Sequence, residues 1–65
     1  MISSTDTIFA TVCQRGRQVY STVGTGFTSM SDVVGRLRGA ASGMVTLTVR
    51  NSSQGWSRTA NLYIA

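Results

Sequence analysis

TSMSDVVGRLRGAASG, Thr28 to Gly43, is the one stretch of this chain whose apolar residues return at helical spacing. Met30, Val33, Val34, Leu37, Ala40 and Ala41 fall at i, i+3, i+4, i+7, i+10 and i+11, and Met44 continues the series. At about 3.6 residues per turn these side chains form one stripe, and such a stripe needs a surface to cover it. Ser29 stands three residues ahead of Asp32. Its hydroxyl can accept from the Asp32 amide while the carboxylate lies in the positive first turn, with Ser31 as a rival cap. Gly43 is placed to take the left-handed conformation that ends a helix.

Gly35 and Gly39 sit four apart on the side opposite the stripe, and each costs about 1 kcal/mol against Ala inside a helix. A glycine pair at that spacing leaves a shallow groove that another backbone can approach, as in membrane helix pairs. Arg36, Arg38 and Asp32 in the same turns exclude the membrane version. The face is then either a weak helix held by packing or an interface with Gly35 and Gly39 at its centre. Arg36 and Arg38 flank the stripe as solvated shoulders whose methylenes can lie along the sheet.

Outward from the helix the period changes from helical to alternating. Thr7 to Gln14, TIFATVCQ, puts Ile8, Ala10 and Val12 on one side and Phe9, Thr11 and Cys13 on the other, as a half-buried strand does. Arg15 and Gly16 supply a tight turn, with Gly16 free to adopt positive φ. Gln18 to Val23 follows as a second strand, with Val19, Ser21 and Val23 on one face and Gln18, Tyr20 and Thr22 on the other. Met44 to Arg50 alternates strictly, Asn51 to Gly55 is a polar loop, and Trp56 to Ile64 returns with Trp56, Ala60, Leu62 and Ile64 on one side.

The order is ββαββ, an α+β chain with a hairpin on each side of one helix. A right-handed crossover that skips one strand predicts a four-stranded antiparallel sheet in the order 2-1-3-4, the helix packed on one face. The predicted core is Ile8, Ala10, Val12, Val19, Val23, Val45, Leu47, Val49, Ala60, Leu62 and Ile64 under Met30, Val33, Val34, Leu37 and Ala41. Residues 1–65 make one small domain, with residues 1–5 expected to fray.

Composition narrows the function. There are six Arg and no Lys against Asp6 and Asp32, with no Glu and no His, for a net charge of +4. A Ser or Cys nucleophile has no His, Glu or Lys to activate it, so the chain reads as a non-enzymatic one. Cys13 stands alone and the chain lacks a ligand set for zinc or calcium, so no metal and no cofactor are expected. A lone cysteine, no secretory segment and no apolar run of about 18 residues point to a soluble protein in a reducing, cytoplasmic setting. Neither a phosphate loop nor an RNP-type aromatic consensus occurs, and Gly24-Thr25-Gly26 lacks the βαβ context of a dinucleotide turn.

The sheet face away from the helix is therefore where binding is expected. By strand parity it carries Phe9, Tyr20 and Tyr63 among hydroxyls, with arginines at its rim. Such a surface can stack bases while Arg15, Arg17, Arg50 and Arg58 hold phosphates, which makes these four with Tyr20 and Tyr63 the nucleic-acid candidates. The same face can pack against a second copy through Phe9, Tyr20 and Tyr63, so a homodimer is expected as well. Trp56 can stack on a ligand or close the end of the core. The alternative to nucleic acid is a protein-interaction or accessory module, and plain exposure of the face is the remaining reading.

Overall fold

A computed structural model describes residues 2–64. The strands are β1 (Ile8–Gln14), β2 (Arg17–Gly24), β3 (Gly43–Asn51) and β4 (Trp56–Ile64), with the helix α1 (Met30–Leu37) between β2 and β3. They form one antiparallel sheet in the order β2-β1-β3-β4, as the crossover argument predicts. Strands β2 and β3 run in the same direction with β1 between them. The β1–β2 turn therefore lies at one end of the sheet and the β3–β4 loop at the other.

Side chains of alternating β1 and β3 residues make the core: Ile8, Ala10 and Val12 beside Val45, Leu47 and Val49, closed by Ile64. Val33 and Leu37 of α1 cap it, with Phe27 and Ile2 filling the end near the helix N-terminus. The Ser29 hydroxyl accepts from the Asp32 amide at 3.1 Å, and Asp32 accepts in turn from the Thr28 amide at 3.2 Å. Asp32 also pairs with Arg36 at 3.1 Å, one turn on. That start is the one the sequence predicts.

The helix end is not. Instead of running to Gly43, α1 stops at Leu37, and Gly39 falls in the turn beyond it. Leu37 is the last large apolar residue of the stripe before Gly43. Past it Ala40 and Ala41 have little surface to bury, so nothing offsets the cost of a second helical glycine. Gly43 does have a positive φ, of 89°, but it opens β3 rather than ending α1. A Cβ there would meet Nε2 of Gln14 at 3.3 Å, and that amide donates to the Ser42 carbonyl at 2.7 Å.

Strand β2 departs from expectation in a second way. The register slips between Val12 and Cys13, so that Cys13 pairs with Gln18 but Val12 pairs with Tyr20. One extra residue in a strand reverses the facing of everything after it. Tyr20 and Thr22 therefore share the helix face with Val12 and Ala10, while Ser21 and Val23 share the outer face with Thr11 and Phe9. Val19 and Val23, predicted as core, are 42% and 57% exposed, and Ala60 of β4 is exposed too.

The amino-terminal segment is tied down rather than frayed from Ile2 onward; Met1 lies outside the described residues. Ile2 is buried, Ser3 donates to Asp6, and the Ser4 carbonyl accepts from Gly26 at 2.8 Å.

Candidate functional site

The outer face is read row by row from the strand pairing. At one end Val23, Phe9, Arg50 and Ser57 lie side by side; next come Ser21, Thr11, Thr48 and Thr59; then Gln18, Cys13, Thr46 and Asn61; and last Met44 beside Tyr63. Adjacent rows are about 6.7 Å apart, two residues along a strand. The middle rows are held by their own hydrogen bonds: Thr46 Oγ1 donates to Asn61 Oδ1 at 2.8 Å, and the Thr48 and Thr59 hydroxyls meet at 3.4 Å.

Each end of this face has a recess. One, of about 370 Å³, is lined by Phe9, Arg50, Ser52, Gly55, Trp56 and Ser57. Its base is a stacked pair, because the Arg50 guanidinium carbon lies over the Phe9 ring 4.3 Å from the centroid. The pair follows from direct cross-strand register, Phe9 opposite Arg50, and holds an exposed cation in a fixed place. The other recess, of about 200 Å³, is lined by Cys13, Arg15, Met44, Thr46 and Asn61 with Val45.

Arg15 sits in an unusual backbone. Its φ is 55° and that of Gly16 is 78°, the positive pair that a type I′ hairpin turn requires. Asn or Gly normally fills the first of those positions, and a long L side chain there is strained by about 1 to 2 kcal/mol.

The predicted site residues thus divide. Arg15, Arg50, Phe9 and Tyr63 belong to the outer face, Tyr63 with 70% of its surface exposed. Tyr20 does not: the β2 bulge turns it to the helix side, where it packs half-buried against the core. Arg17, opposite Gln14, and Arg58, opposite Val49, hold helix-face positions. Gly35 is exposed on α1, and Gly39 is exposed in the turn that follows, so the two do not form one helical groove.

Of the two parts considered for Trp56, the structure gives the one that closes the end of the core. It packs half-buried against the core and also lines the larger recess. Its Nε1 donates to Gln54 Oε1 at 3.0 Å, and the Arg58 guanidinium lies 5.6 Å from its ring.

Behind that recess is a buried polar cluster that the sequence reading missed. Asn51 is wholly buried at the end of β3, in line with Val45, Leu47 and Val49. Its Nδ2 donates to Asp6 Oδ2 at 3.0 Å and its Oδ1 accepts from the Gln54 amide at 2.9 Å. Asp6, 8% exposed, accepts also from the Ser3 amide at 3.0 Å and from Gln54 Nε2 at 2.7 Å. The Ser3 amide first, then Asn51 and Gln54, hold its carboxyl below the ordinary value of 3.8, against burial. The signal was available: the inward parity of β3 continues through Asn51, so a polar residue there needed a buried partner.

Neither Asp6 nor Asp32 lies on the outer face, and among the described residues no three His, Cys, Asp or Glu side chains come together. No helix among them is long and apolar enough to cross a membrane. No protein-family model matches this chain, and no curated protein or solved structure matches it either.

Proposed function

We propose that this chain is a non-enzymatic nucleic-acid-binding module that takes a short single-stranded segment along the outer face of its sheet. The observation that carries the reading is the charge layout of that face. Arg15 and Arg50 stand at its two ends, each beside a recess, with hydroxyl, amide, thiol and apolar side chains between them and no carboxylate.

A strand of phosphates laid along the sheet meets a cation at each end, about 20 Å apart by strand rise, and donors in the middle. A base can stack on the Arg50 guanidinium, itself backed by Phe9, and another on exposed Tyr63 beside Met44. Duplex nucleic acid fits worse, since the open face of a four-stranded sheet lacks an element to enter a groove. The strain at Arg15 adds support, because an arginine kept where Asn or Gly is favoured points to a use for its side chain. One observation favours protein contact instead: Val23, Met44 and Tyr63 are all large, apolar or aromatic, and exposed on this face.

Anisotropy titration with fluorescent single-stranded RNA, single-stranded DNA and duplex DNA, each at low and near-physiological salt, separates the readings. Tighter single-strand binding that weakens steeply with salt, and at least about tenfold in Arg50→Gln, is the expected result. No binding even at low salt overturns the proposal and leaves the protein-contact reading.

A further inference from the structure

The two edges of the sheet are built differently. Strand β2 carries the bulge beside Val19 and begins at Arg17, and bulges and charges are how edge strands resist pairing with another chain. Strand β4 has neither a bulge nor a proline, and its one charge, Arg58, stands off the middle of the strand. It pairs with β3 in unbroken register over nine residues, and its other edge faces no strand. Five consecutive β4 residues, Ser57 to Asn61, are exposed, including Arg58 and Ala60, which lie on the helix face.

Beside that edge runs a groove of about 570 Å³, walled by Met30 and Val34 of α1, floored by Leu47, Ala60 and Leu62, and bordered by Arg58 and Thr59. Helix α1 covers β1 and β3 and leaves this side of β4 open. Edge and groove are continuous, and the groove lies on the helix side of the sheet.

We propose that a second copy of this chain docks here, β4 against β4 in antiparallel pairing about a twofold axis at Ala60. Ala60 is the middle residue of the nine-residue strand, so this register uses its full length. Residues whose numbers sum to the same value then face each other. Ala60 meets the partner's Ala60 where a small side chain lets the strands close, and Arg58 lies beside the partner's Leu62, which its methylenes cover. Thr59 meets the partner's Asn61 on the outer face, the same hydroxyl-to-amide pairing that Thr46 and Asn61 already make within one chain. The like charges are spread: Arg58 and the partner's Arg58 stand about four residues, or 13 Å, apart along the strands, beyond a Debye length at physiological salt.

Area sets the strength of this contact. Even a small specific interface buries about 600 Å² per partner. The longest dimension of the chain is 30 Å and the shortest 15 Å, so a side of that outline projects about 450 Å². The β4 side falls short of a permanent interface, and the pairing is a weak one that forms as protein concentration rises. The pairing turns two half-open grooves into one trough walled by both helices.

Sedimentation equilibrium on the full chain tests this. The expected mass approaches twice 6.9 kDa as protein concentration rises, with Ala60→Arg raising the dimer dissociation constant at least about a hundredfold and Val19→Arg on the β2 edge leaving it unchanged. Ala60→Cys in a Cys13→Ser background is expected to form a disulfide dimer on mild oxidation, because paired Cα atoms of about 5 Å suit that bond. A monomer at all concentrations overturns the proposal, as does a dimer that survives Ala60→Arg. A folded Ala60→Cys variant that stays monomeric under oxidation overturns this register. None of these outcomes depends on nucleic acid, so the outer-face reading stands or falls separately.

Discussion

Arg15→Asn should make the protein more stable and a poorer binder at once. The turn Gln14-Arg15-Gly16-Arg17 has φ of 55° and 78° at its central residues, so the substitution creates Asn-Gly, the pair best suited to that geometry. An L residue with a Cβ and long side chain costs about 1 to 2 kcal/mol in the left-handed region, and Asn escapes roughly half of that. Arg15 makes no hydrogen bond or ion pair among the described residues whose loss would offset the gain. The expected stabilisation is about 0.5 to 1 kcal/mol, or a rise in Tm of about 2 to 8 °C for a domain of this size, read by calorimetry. In the anisotropy titration the same variant should lose one phosphate contact, lowering the slope of log K against log salt by about 0.7 for a single strand. Arg15→Lys supplies the control, with Tm unchanged and the slope retained. A Tm that does not rise refutes the account of strain. A salt slope that does not fall removes Arg15 from the interface, whatever happens to Tm.

Two glycines should respond in opposite senses to Ala, measured by urea unfolding. Gly35→Ala adds a methyl to an exposed helix position with nothing within 4 Å and should stabilise by about 0.5 to 1 kcal/mol, with the sedimentation mass unchanged. Gly43→Ala puts a Cβ at a φ of 89° and within 3.3 Å of Gln14 Nε2, and should destabilise by at least about 1 kcal/mol. The third concerns pH. The folded carboxyl of Asp6 is held below its ordinary 3.8, so the unfolded chain takes up its proton first as pH falls. Its contribution is complete above about pH 5 and is lost as pH drops through 4 and below. The urea midpoint of the wild type should therefore fall more between pH 6 and pH 3 than that of Asp6→Asn, which should already be lower at pH 6; parallel profiles would contradict the network.

Much of the fold was legible because its signals are local. Alternation in β1 and β3, the Ser29 and Asp32 cap, and turn glycines each depend on residues a few positions apart, and the crossover rule converts them into strand order. What escaped depends on partners far away in sequence. The bulge beside Val19 is fixed by how β2 docks on β1, and the alternation of Val19, Ser21 and Val23 reads equally well in either facing. It moved Tyr20 off the outer face and brought Val23 onto it. The helix end escaped because Ala40 and Ala41 keep the period while contributing little burial. Asn51 escaped because NSSQG has the composition of a loop, although its first residue is a strand residue bound to Asp6, 45 positions earlier.

The reversal at β2 also bears on how two functional readings share one small protein. From sequence, base stacking and self-association compete for a single face carrying Phe9, Tyr20 and Tyr63. With Tyr20 turned inward, the aromatics left on that face stand at opposite ends, separated by rows of hydroxyls and amides. Sheet-on-sheet packing across such a face would bury those polar groups between two copies, where each needs a partner in the dry interface. Lying along a phosphate chain they keep both water and donors in use. The proposed pairing would instead use the helix side of β4, where Met30, Val34 and Leu62 line a groove. An edge-paired dimer leaves both outer faces open and joins them, doubling the number of Arg15 and Arg50 side chains along one sheet. Association and binding then draw on different surfaces of the same strands.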